Sequence, residues 1–287
     1  MRNFIARGAL KLAFVLAGLF CSASGHATII ASIDQFTVDK NGSTVFSDAF
    51  DNNLTPTQET STYNVNGAFP NGAESNNQLA LNTDWGAISH NALGQVRQNL
   101  QATWRSNIDP ANPNGGLNIG STIDVTGIFN LVMPTAGPLN NGYGIKVIDA
   151  VQGQSTADRQ LELNVQYWDP AGIDVIRLLM QDFTNHLITT LDYIPFVPGT
   201  ADQIALMISR PDTSNNNFYG AYAFGTGGSF DSFTTFTNSG ALFTNTNFVR
   251  AQFHAFTALP QVVPEPATLA LLSLGLAGLA ASRRRKQ

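Results

Sequence analysis

Residues 160–183 read QLELNVQYWDPAGIDVIRLLMQDF, and this segment gives the clearest indication of the fold class. Leucine and valine alternate with glutamate, asparagine and glutamine through its first half. A period of two predicts a β-strand with one aliphatic face and one polar face. Residues 169–172 (DPAG) carry the aspartate, proline and glycine that favour a tight turn, after which the second half returns. The stretch therefore predicts an antiparallel β-hairpin.

The four-residue turn also predicts the register of this hairpin. Pairing Trp168 with Ile173 places Asn164 opposite Arg177 on the polar face. The other residues of that face are Glu162, Gln166, Val175 and Leu179. On the opposite face, Leu161, Leu163 and Val165 meet Met180, Leu178 and Ile176. Because an entirely aliphatic face must be buried, we expect the hairpin to lie in a sheet that packs against a second sheet.

Further segments with the same alternation recur between residues 28 and 260. This length suits one large β-sandwich as well as two small domains, and we favour one domain because no Pro/Ser-rich linker or charge run divides it. Asn-Gly pairs between these segments supply the positive φ angles of tight turns. The sequence therefore predicts a single all-β sandwich domain over residues 28–260, with one helical candidate at residues 84–100. The strands expected besides the hairpin are residues 28–37, 78–81, 98–105, 143–148, 203–209 and 248–256.

Residues 1–27 have the three parts of a secretory signal peptide: a basic start, an apolar run at residues 12–20 and a small-x-small cleavage site that ends at Ala27. The single cysteine, Cys21, follows the bulky Phe20, whereas a lipoprotein signal has a small residue before its cysteine. The mature chain therefore has no cysteine. This excludes disulfides, thiol catalysis and cysteine-bound zinc.

The C-terminal residues 261–287 carry three elements in order. Pro264, Glu265 and Pro266 form a stiff lead-in, because each proline fixes its own φ and disfavours helix before it. Residues 267–281 are uncharged, and as a helix they would span about 22 Å, less than the roughly 30 Å hydrocarbon core of a membrane. This short transmembrane helix is followed by a basic cluster that we expect to stop transfer and stay cytoplasmic. The cluster consists of Arg283, Arg284, Arg285 and Lys286.

In this order, the three elements resemble the PEP-CTERM sorting signal of exopolysaccharide-producing Gram-negative bacteria. The resemblance implies that an exosortase, a membrane-embedded protease-like enzyme, recognises Pro264, Glu265 and Pro266 and removes the tail. It also implies secretion through the inner membrane, transient membrane insertion and a final extracellular or cell-surface location. The apolar run and the arginines alone would equally indicate an ordinary tail anchor, and the triplet distinguishes the two.

The charge of the exported part differs from that of the whole chain. Three of the 15 basic residues lie in the signal peptide and four in the tail, whereas only Glu265 of the 20 acidic residues lies outside residues 28–260. The exported part therefore carries eight basic and 19 acidic residues, a net charge of −11. Such a surface repels nucleic acid phosphates and anionic lipids, so we expect no nucleic-acid partner. A neutral exopolysaccharide or a divalent cation fits this charge better.

Calcium is the one cofactor for which the sequence offers a group of ligands. Asp109, Asn112 and Asn114 cluster oxygen donors in one loop, without the spacing of an EF-hand. Asx turns that cap their own backbone explain the same three residues without a metal. Both interpretations stay open.

The strand rhythm and the N-terminal segments also resemble concanavalin A-like lectin and glucanase jelly rolls, which implies a jelly-roll-like sandwich. The resembling segments are residues 46–51 (FSDAFD), 63–67 (YNVNG) and 79–83. Glucanases of this family carry their acids in an E-x-D-x-x-E pattern. The nearest match begins at Glu162 but has Asn164 and Tyr167 at the later acid positions. Because an amide cannot act as a nucleophile or relay a proton as a carboxyl does, we expect no enzyme activity.

The polar face of the hairpin is the candidate glycan site. It combines an aromatic plane with amide, carboxylate and guanidinium groups, and sugar recognition uses this combination. Two other interpretations are a solvated face on which Glu162 and Arg177 form a cross-strand pair, and a face covered by another element, since Ile173 and Val175 share it. The candidate residues are Glu162, Asn164, Gln166, Trp168 and Arg177.

These observations predict a non-enzymatic extracellular or surface protein associated with exopolysaccharide or a biofilm matrix. A lectin-like carbohydrate-binding module is the first alternative. A polysaccharide-active enzyme, from a different class, is the second. A glycan array separates the first two functions, and release of reducing sugars would identify the third.

Overall fold

The computed structural model describes residues 30–105, 116–134, 140–149, 159–168, 172–197, 199–237, 240–241 and 248–259. Within these ranges the chain forms two antiparallel sheets that pack face to face. The predicted signal peptide, the predicted sorting tail and the calcium candidates Asp109, Asn112 and Asn114 lie outside the described residues.

The described ranges contain nineteen strands. In chain order they are β1 (Ile30–Lys40), β2 (Ser43–Asp48), β3 (Tyr63–Asn66), β4 (Glu74–Ser75), β5 (Gln78–Asn82), β6 (Ala87–His90), β7 (Val96–Trp104), β8 (Leu117–Asn118), β9 (Ile123–Asn130), β10 (Asn141–Asp149), β11 (Arg159–Trp168), β12 (Ile173–Asp182), β13 (Leu187–Pro195), β14 (Gln203–Arg210), β15 (Asn217–Thr226), β16 (Ser229–Phe230), β17 (Thr234–Thr235), β18 (Gly240–Ala241) and β19 (Phe248–Ala258).

Strands that are distant in sequence are neighbours in both sheets. The ten-stranded sheet has the order β16-β15-β14-β9-β1-β5-β4, with β2 beside β1 and with β17 and β18 beside β15. The nine-stranded sheet has the order β13-β12-β11-β10-β19-β7-β3, with β6 beside β7 and β8 beside β19. This topology places β10 between the predicted hairpin, β11 and β12, and the late strand β19.

The core lies between the two sheets and is aliphatic and aromatic. Ile145 of β10, Leu163 of β11 and Leu178 of β12 have no exposed surface. Fully burying a side chain of this size contributes about 1.5–3 kcal/mol. Aromatic rings gather edge-on around Phe253 of β19, and they belong to Phe36, Phe50, Tyr63 and Phe69. The prediction of an all-β sandwich is confirmed.

The strands predicted outside the hairpin each overlap a described strand, namely β1, β5, β7, β10, β14 and β19. The helix predicted at residues 84–100 is wrong. Only Thr83–Trp85 form a 3₁₀ turn, and β6 and β7 pair as a hairpin over the rest. The side chain of Asn91 accepts hydrogen bonds from the N–H groups of Leu93 and Gln95 at 3.1 and 2.9 Å, which reverses the chain. Pairing with β19 and β3 then holds β7 extended.

Candidate functional site

The hairpin of β11 and β12 has the predicted register. Trp168 pairs with Ile173 and Asn164 with Arg177, and the remaining predicted pairs are also present. The aliphatic side of the hairpin lies in the core, as expected. The middle of the opposite side is not solvated, however, because Asn164 has no exposed surface and Arg177 is only 9% exposed, although Ile173 beside the turn is 39% exposed. The interpretation of a solvated face is therefore wrong.

We call the side of the nine-stranded sheet that faces away from the core the polar face. It consists of alternate residues on β7, β19, β10, β11 and β12, which the pairing aligns in rows across the sheet. Its members include Arg97, Asn99, Gln101, Thr103, Arg250, Gln252, His254, Phe256, Ala258, Gly142, Gly144, Lys146, Ile148, Gln160, Glu162, Asn164, Gln166, Trp168, Ile173, Val175, Arg177, Leu179 and Gln181.

Two glycines of β10 make room for long side chains on the polar face. Gly144 lies between Asn164 and His254 in one row, and His254 Nε2 is 2.7 Å from Asn164 Oδ1 across it. A Cβ on Gly144 would lie 2.1 Å from the Leu163 carbonyl oxygen and 2.7 Å from Asn164 Oδ1. A Cβ on Gly142 would meet the Cβ of Gln166 at 2.6 Å. The absence of side chains on β10 thus lets polar groups of β11 and β19 meet.

Glu162 forms a buried ion pair in the neighbouring row. Lys146 Nζ lies 3.2 Å from Glu162 Oε1, and both side chains are at most 2% exposed. The Gln181 amide donates to the same oxygen at 2.6 Å, and the Asn164 amide donates to Oε2 at 3.1 Å. Both carboxylate oxygens are therefore satisfied. The cross-strand ion pair between Glu162 and Arg177, which belonged to the interpretation of a solvated face, is not formed. Lys146 of β10 pairs with the Glu162 carboxylate instead.

The charges around Glu162 determine its protonation. Burial by itself raises the pKa of this carboxyl, but Lys146 and the other basic groups nearby bring the net pKa below its usual range. Burial lowers the pKa of Lys146, and the attraction of Glu162 opposes that shift. The carboxylate of Glu162 is therefore ionised at neutral pH and has no proton to donate.

His254 is held neutral at the centre of the polar face. The Asn164 amide donates to Glu162, so its oxygen accepts, and the Nε2–H of His254 is the donor. The other ring nitrogen, Nδ1, is buried without a hydrogen-bond partner among the described residues. Burial lowers the pKa of His254 well below its ordinary value, and the nearby Lys146 adds to that shift. The ring also stacks on Phe256 at 5.5 Å.

Two arginines lie over aromatic rings of the polar face. The Arg177 guanidinium is 4.6 Å from the centre of the Trp168 ring, and Nε and Nη2 of Arg177 donate to Thr190 Oγ1 at 3.0 and 2.5 Å. Tyr193 of β13 meets Trp168 edge-on at 4.9 Å. The Arg97 guanidinium lies 5.1 Å from the centre of the Phe256 ring. Cation–π contacts of this kind fix both guanidinium groups in place.

A cavity of about 310 Å³ opens on this face. Its wall includes the β6–β7 loop, whose Ala92 N–H donates to Gln181 Oε1 at 2.9 Å and whose Ala92 carbonyl lies 3.3 Å from His186 Nδ1. Four of the five predicted glycan-site residues line the cavity, whereas Asn164 supports them from beneath. The lining residues among those described are Asn91, Leu93, Gln95, Val96, Arg97, Asn140, Glu162, Gln166, Trp168, Arg177, Leu179, Gln181, Ile188, Phe256 and Ala258.

The sequence alone did not identify Arg97, Lys146 or His254 as parts of this site. Lys146 and His254 belong to predicted strands, but alternation does not tell which strands are neighbours in a sheet. Arg97 lies just before the predicted strand at residues 98–105, in the segment that was expected to be helical. One signal was present: Gly142 directly precedes the predicted strand at residues 143–148 and Gly144 lies in it, so in an extended chain the two glycines leave space on a single face. Within the described ranges, no three histidine, aspartate or glutamate residues are arranged to hold a metal ion.

Comparison with known proteins identifies the tail. Residues 262–286 match the PEP-CTERM protein-sorting motif, which confirms the predicted sorting signal. No curated protein matches the chain. The winged bean acidic lectin complexed with methyl-alpha-D-galactose is similar in structure, with 12% identity, a TM-score of 0.40 and coverage of 81% of this chain and 91% of the lectin. The CBM2 module of the evolved Dit of Lactobacillus casei BL23 phage J-1 has 15% identity, a TM-score of 0.38 and coverage of 79% and 89%.

The sorting motif determines how the chain is handled in the cell. A PEP-CTERM motif is the recognition signal for exosortase processing, which follows export and anchoring of the C-terminal segment in the membrane. In the part of the chain that the structure describes, no helix is long and apolar enough to cross a membrane. The chain is therefore an exported exosortase substrate that carries a PEP-CTERM sorting signal at residues 262–286.

Proposed function

We propose that the exported part is a non-catalytic polysaccharide-binding protein of the extracellular matrix, and that the cavity on the polar face is its binding site. One observation carries the proposal: Gln166 is 1% exposed and lines the cavity, yet its Oε1 has no hydrogen-bond partner among the described residues. A buried acceptor without a partner costs about 1–3 kcal/mol, and a ligand hydroxyl in the cavity would remove that cost.

The composition of the cavity supports a sugar as the ligand. Trp168 and Phe256 contribute aromatic surface, and Gln95, Gln166 and Gln181 contribute amides. Sugar rings present C–H surface to aromatic groups and hydroxyls to amides, so both kinds of wall are used. A cavity of about 310 Å³ is at the lower end of ligand pockets, which suits a short stretch of a polymer rather than a large cofactor.

The carboxylates support binding without hydrolysis. Glycoside hydrolysis uses two carboxyl groups that flank the scissile bond, one of them protonated. Glu162 is the one carboxylate among the described residues that line the cavity. Lys146 keeps it ionised, and Asn164 two residues further along β11 cannot replace a second acid. A protein that is exported and then released by an exosortase would be exposed to extracellular polysaccharide, which supports this function.

The test is removal of the aromatic wall. Trp168→Ala should weaken binding of the tail-free protein to its preferred polysaccharide by about twofold to tenfold, since a stacked aromatic contributes about 0.5–1.5 kcal/mol. Affinity electrophoresis over neutral, acidic and basic polysaccharides measures this. Phe233→Ala is the matched control, because Phe233 is 41% exposed and lies outside the polar face. Binding to no polysaccharide, or reducing-sugar release by the wild type, would contradict the proposal.

A further inference from the structure

We propose that the cavity selects polysaccharides whose sugars carry an acidic group, a uronate carboxylate or a sulfate ester. This inference rests on the proposed function and names the class of ligand. It runs against the net charge of −11 of the exported part, which by itself favours neutral polymers. The reason is that the basic residues are not spread evenly over the molecule.

The polar face gathers half of the basic residues of the exported part. Of the eight basic residues between residues 28 and 260, it holds Arg97, Lys146, Arg177 and Arg250. Of the 19 acidic residues in the same range, the strands of this face contribute Glu162 alone to it. A patch of one charge sign inside a concave, water-poor site concentrates ligands of the opposite sign.

The carboxylate of Glu162 already has an ion-pair partner and hydrogen-bond donors. Its partner Lys146 is 3.2 Å away, and two amides complete its hydrogen bonds. Among the described residues, the other ion pair joins Arg159 to Asp182 at the edge of the hairpin. No carboxylate of the described residues is therefore paired with Arg97 or Arg177, although both arginines line the cavity.

Both arginines are buried, and neither forms a direct ion pair with a described residue. Arg97 is 8% exposed and Arg177 is 9% exposed. Burial lowers the pKa of Arg97 and brings the pKa of Arg177 down to about 10, and the attraction of Glu162 offsets only part of each shift. A buried cation without an anion is costly, so an anionic group in the cavity would recover part of that cost. Guanidinium groups suit this task because their planar fork matches the two oxygens of a carboxylate or sulfate.

The remaining groups of the cavity distinguish an acidic sugar from a simple anion. The free Oε1 of Gln166 accepts hydrogen bonds and would repel an anion, so it matches a sugar hydroxyl. Trp168 offers an aromatic edge, although Arg177 already lies over its ring. An acidic group at either arginine, together with a sugar hydroxyl at Gln166, would use both the cationic and the neutral groups that line the cavity.

The first experiment compares ligands and needs no variant. The tail-free protein is titrated with polygalacturonate and with its full methyl ester, which has the same backbone without charge, and with dextran sulfate and unmodified dextran. At physiological salt we expect at least one acidic polymer to bind about tenfold more tightly than its neutral parent, the amount that a hydrogen-bonded charge typically contributes. The ratio between polygalacturonate and dextran sulfate then separates carboxylate from sulfate.

The outcomes separate this inference from the proposed function. Equal or tighter binding of both neutral parents would overturn the selectivity for acidic sugars, while the polysaccharide-binding function would stand. Binding of none of the four polymers, nor of any polysaccharide in the wider panel, would overturn both.

A second experiment locates the selectivity. Arg177→Gln should lower the ratio between acidic and neutral polymer about tenfold, and Arg177→Lys should lower it less, because lysine keeps the charge but not the fork. Lys40→Gln is the matched control, since it removes one positive charge from the ten-stranded sheet. Circular dichroism checks that each variant is folded. An unchanged ratio in folded Arg177→Gln, or an equal loss in Lys40→Gln, would overturn the inference.

Discussion

The outer faces of the two sheets start from the same alternation of apolar and polar residues, yet they are built differently. On the ten-stranded sheet, Asp34 accepts hydrogen bonds from the amides of Gln203 and Asn130 at 2.6 and 2.9 Å, and all three residues are half-buried. On the nine-stranded sheet, the polar face buries Lys146 and Glu162 completely and leaves the Oε1 of Gln166 without a partner among the described residues.

This difference shows how a binding face can be recognised. A half-exposed face completes its hydrogen bonds with water, so its polar residues need no further explanation. On a buried face water cannot complete the hydrogen bonds. Each polar atom there without a partner therefore lowers the stability of the protein unless a ligand supplies the missing hydrogen bond. The cluster of buried cations and amides around one cavity is thus evidence for a site on the polar face, whereas Asp34 on the opposite sheet is half-buried and has its hydrogen bonds from Gln203 and Asn130.

The largest effect that tests this comparison is the loss of the buried amine. Lys146→Met should reduce the free energy of unfolding by about 3–5 kcal/mol, because it leaves the carboxylate of Glu162 buried and unpaired. Denaturant unfolding measures this. The double variant Lys146→Met with Glu162→Gln should recover most of the loss, and Lys40→Met on the ten-stranded sheet should change stability by about 0.5 kcal/mol or less. A stable single variant would mean that Glu162 is solvated, and the two faces would then be alike.

Much of the hairpin was predictable, because its register depends on residues that are close together in the sequence. The DPAG turn and the alternation around Asn164 determine the register, and the structure has it. The partner of Glu162 was not predictable, because it depends on β10 being the neighbour of β11, and alternation does not encode strand order. The helix expected at residues 84–100 failed for a related reason: extended pairing with β19, a strand far away in sequence, outweighs a local helical period.

A medium effect concerns the pH dependence of stability. The pKa of His254 is lowered well below its ordinary value by burial, so the folded state stays unprotonated while the unfolded state takes up a proton below about pH 6.5. Stability should therefore be lost as the pH falls from 7 to 5, by about 1–2 kcal/mol from this residue. His254→Gln keeps a donor for Asn164 and should flatten that part of the profile.

The matched control for this pH dependence is His90→Gln, since His90 is an exposed histidine on β6. Unfolding midpoints measured at pH 7, 6 and 5 should fall in this control as they do in the wild type. Equal slopes for His254→Gln and the wild type would show that the polar face does not bury a neutral imidazole.

The smallest expected effect lies on the ten-stranded sheet and tests whether charge acts locally. On the outer face of that sheet, the half-buried Asp124 accepts a hydrogen bond from the Ser209 hydroxyl. The amide oxygen introduced by Asp124→Asn would accept the same hydrogen bond. We expect the free energy of unfolding to change by about 0.5 kcal/mol or less. The affinity for polygalacturonate or dextran sulfate should change by about twofold or less, because charges more than about 8 Å apart are largely screened at physiological salt.

The value of Asp124→Asn is that it changes the net charge as much as Arg177→Gln does, with the opposite sign. If Asp124→Asn strengthens binding by as much as Arg177→Gln weakens it, the net charge of the protein governs binding and the distinction between the two outer faces fails. If only Arg177→Gln has an effect, the arrangement of charges within the cavity governs binding, because a unit charge then matters on the polar face and not on the opposite sheet.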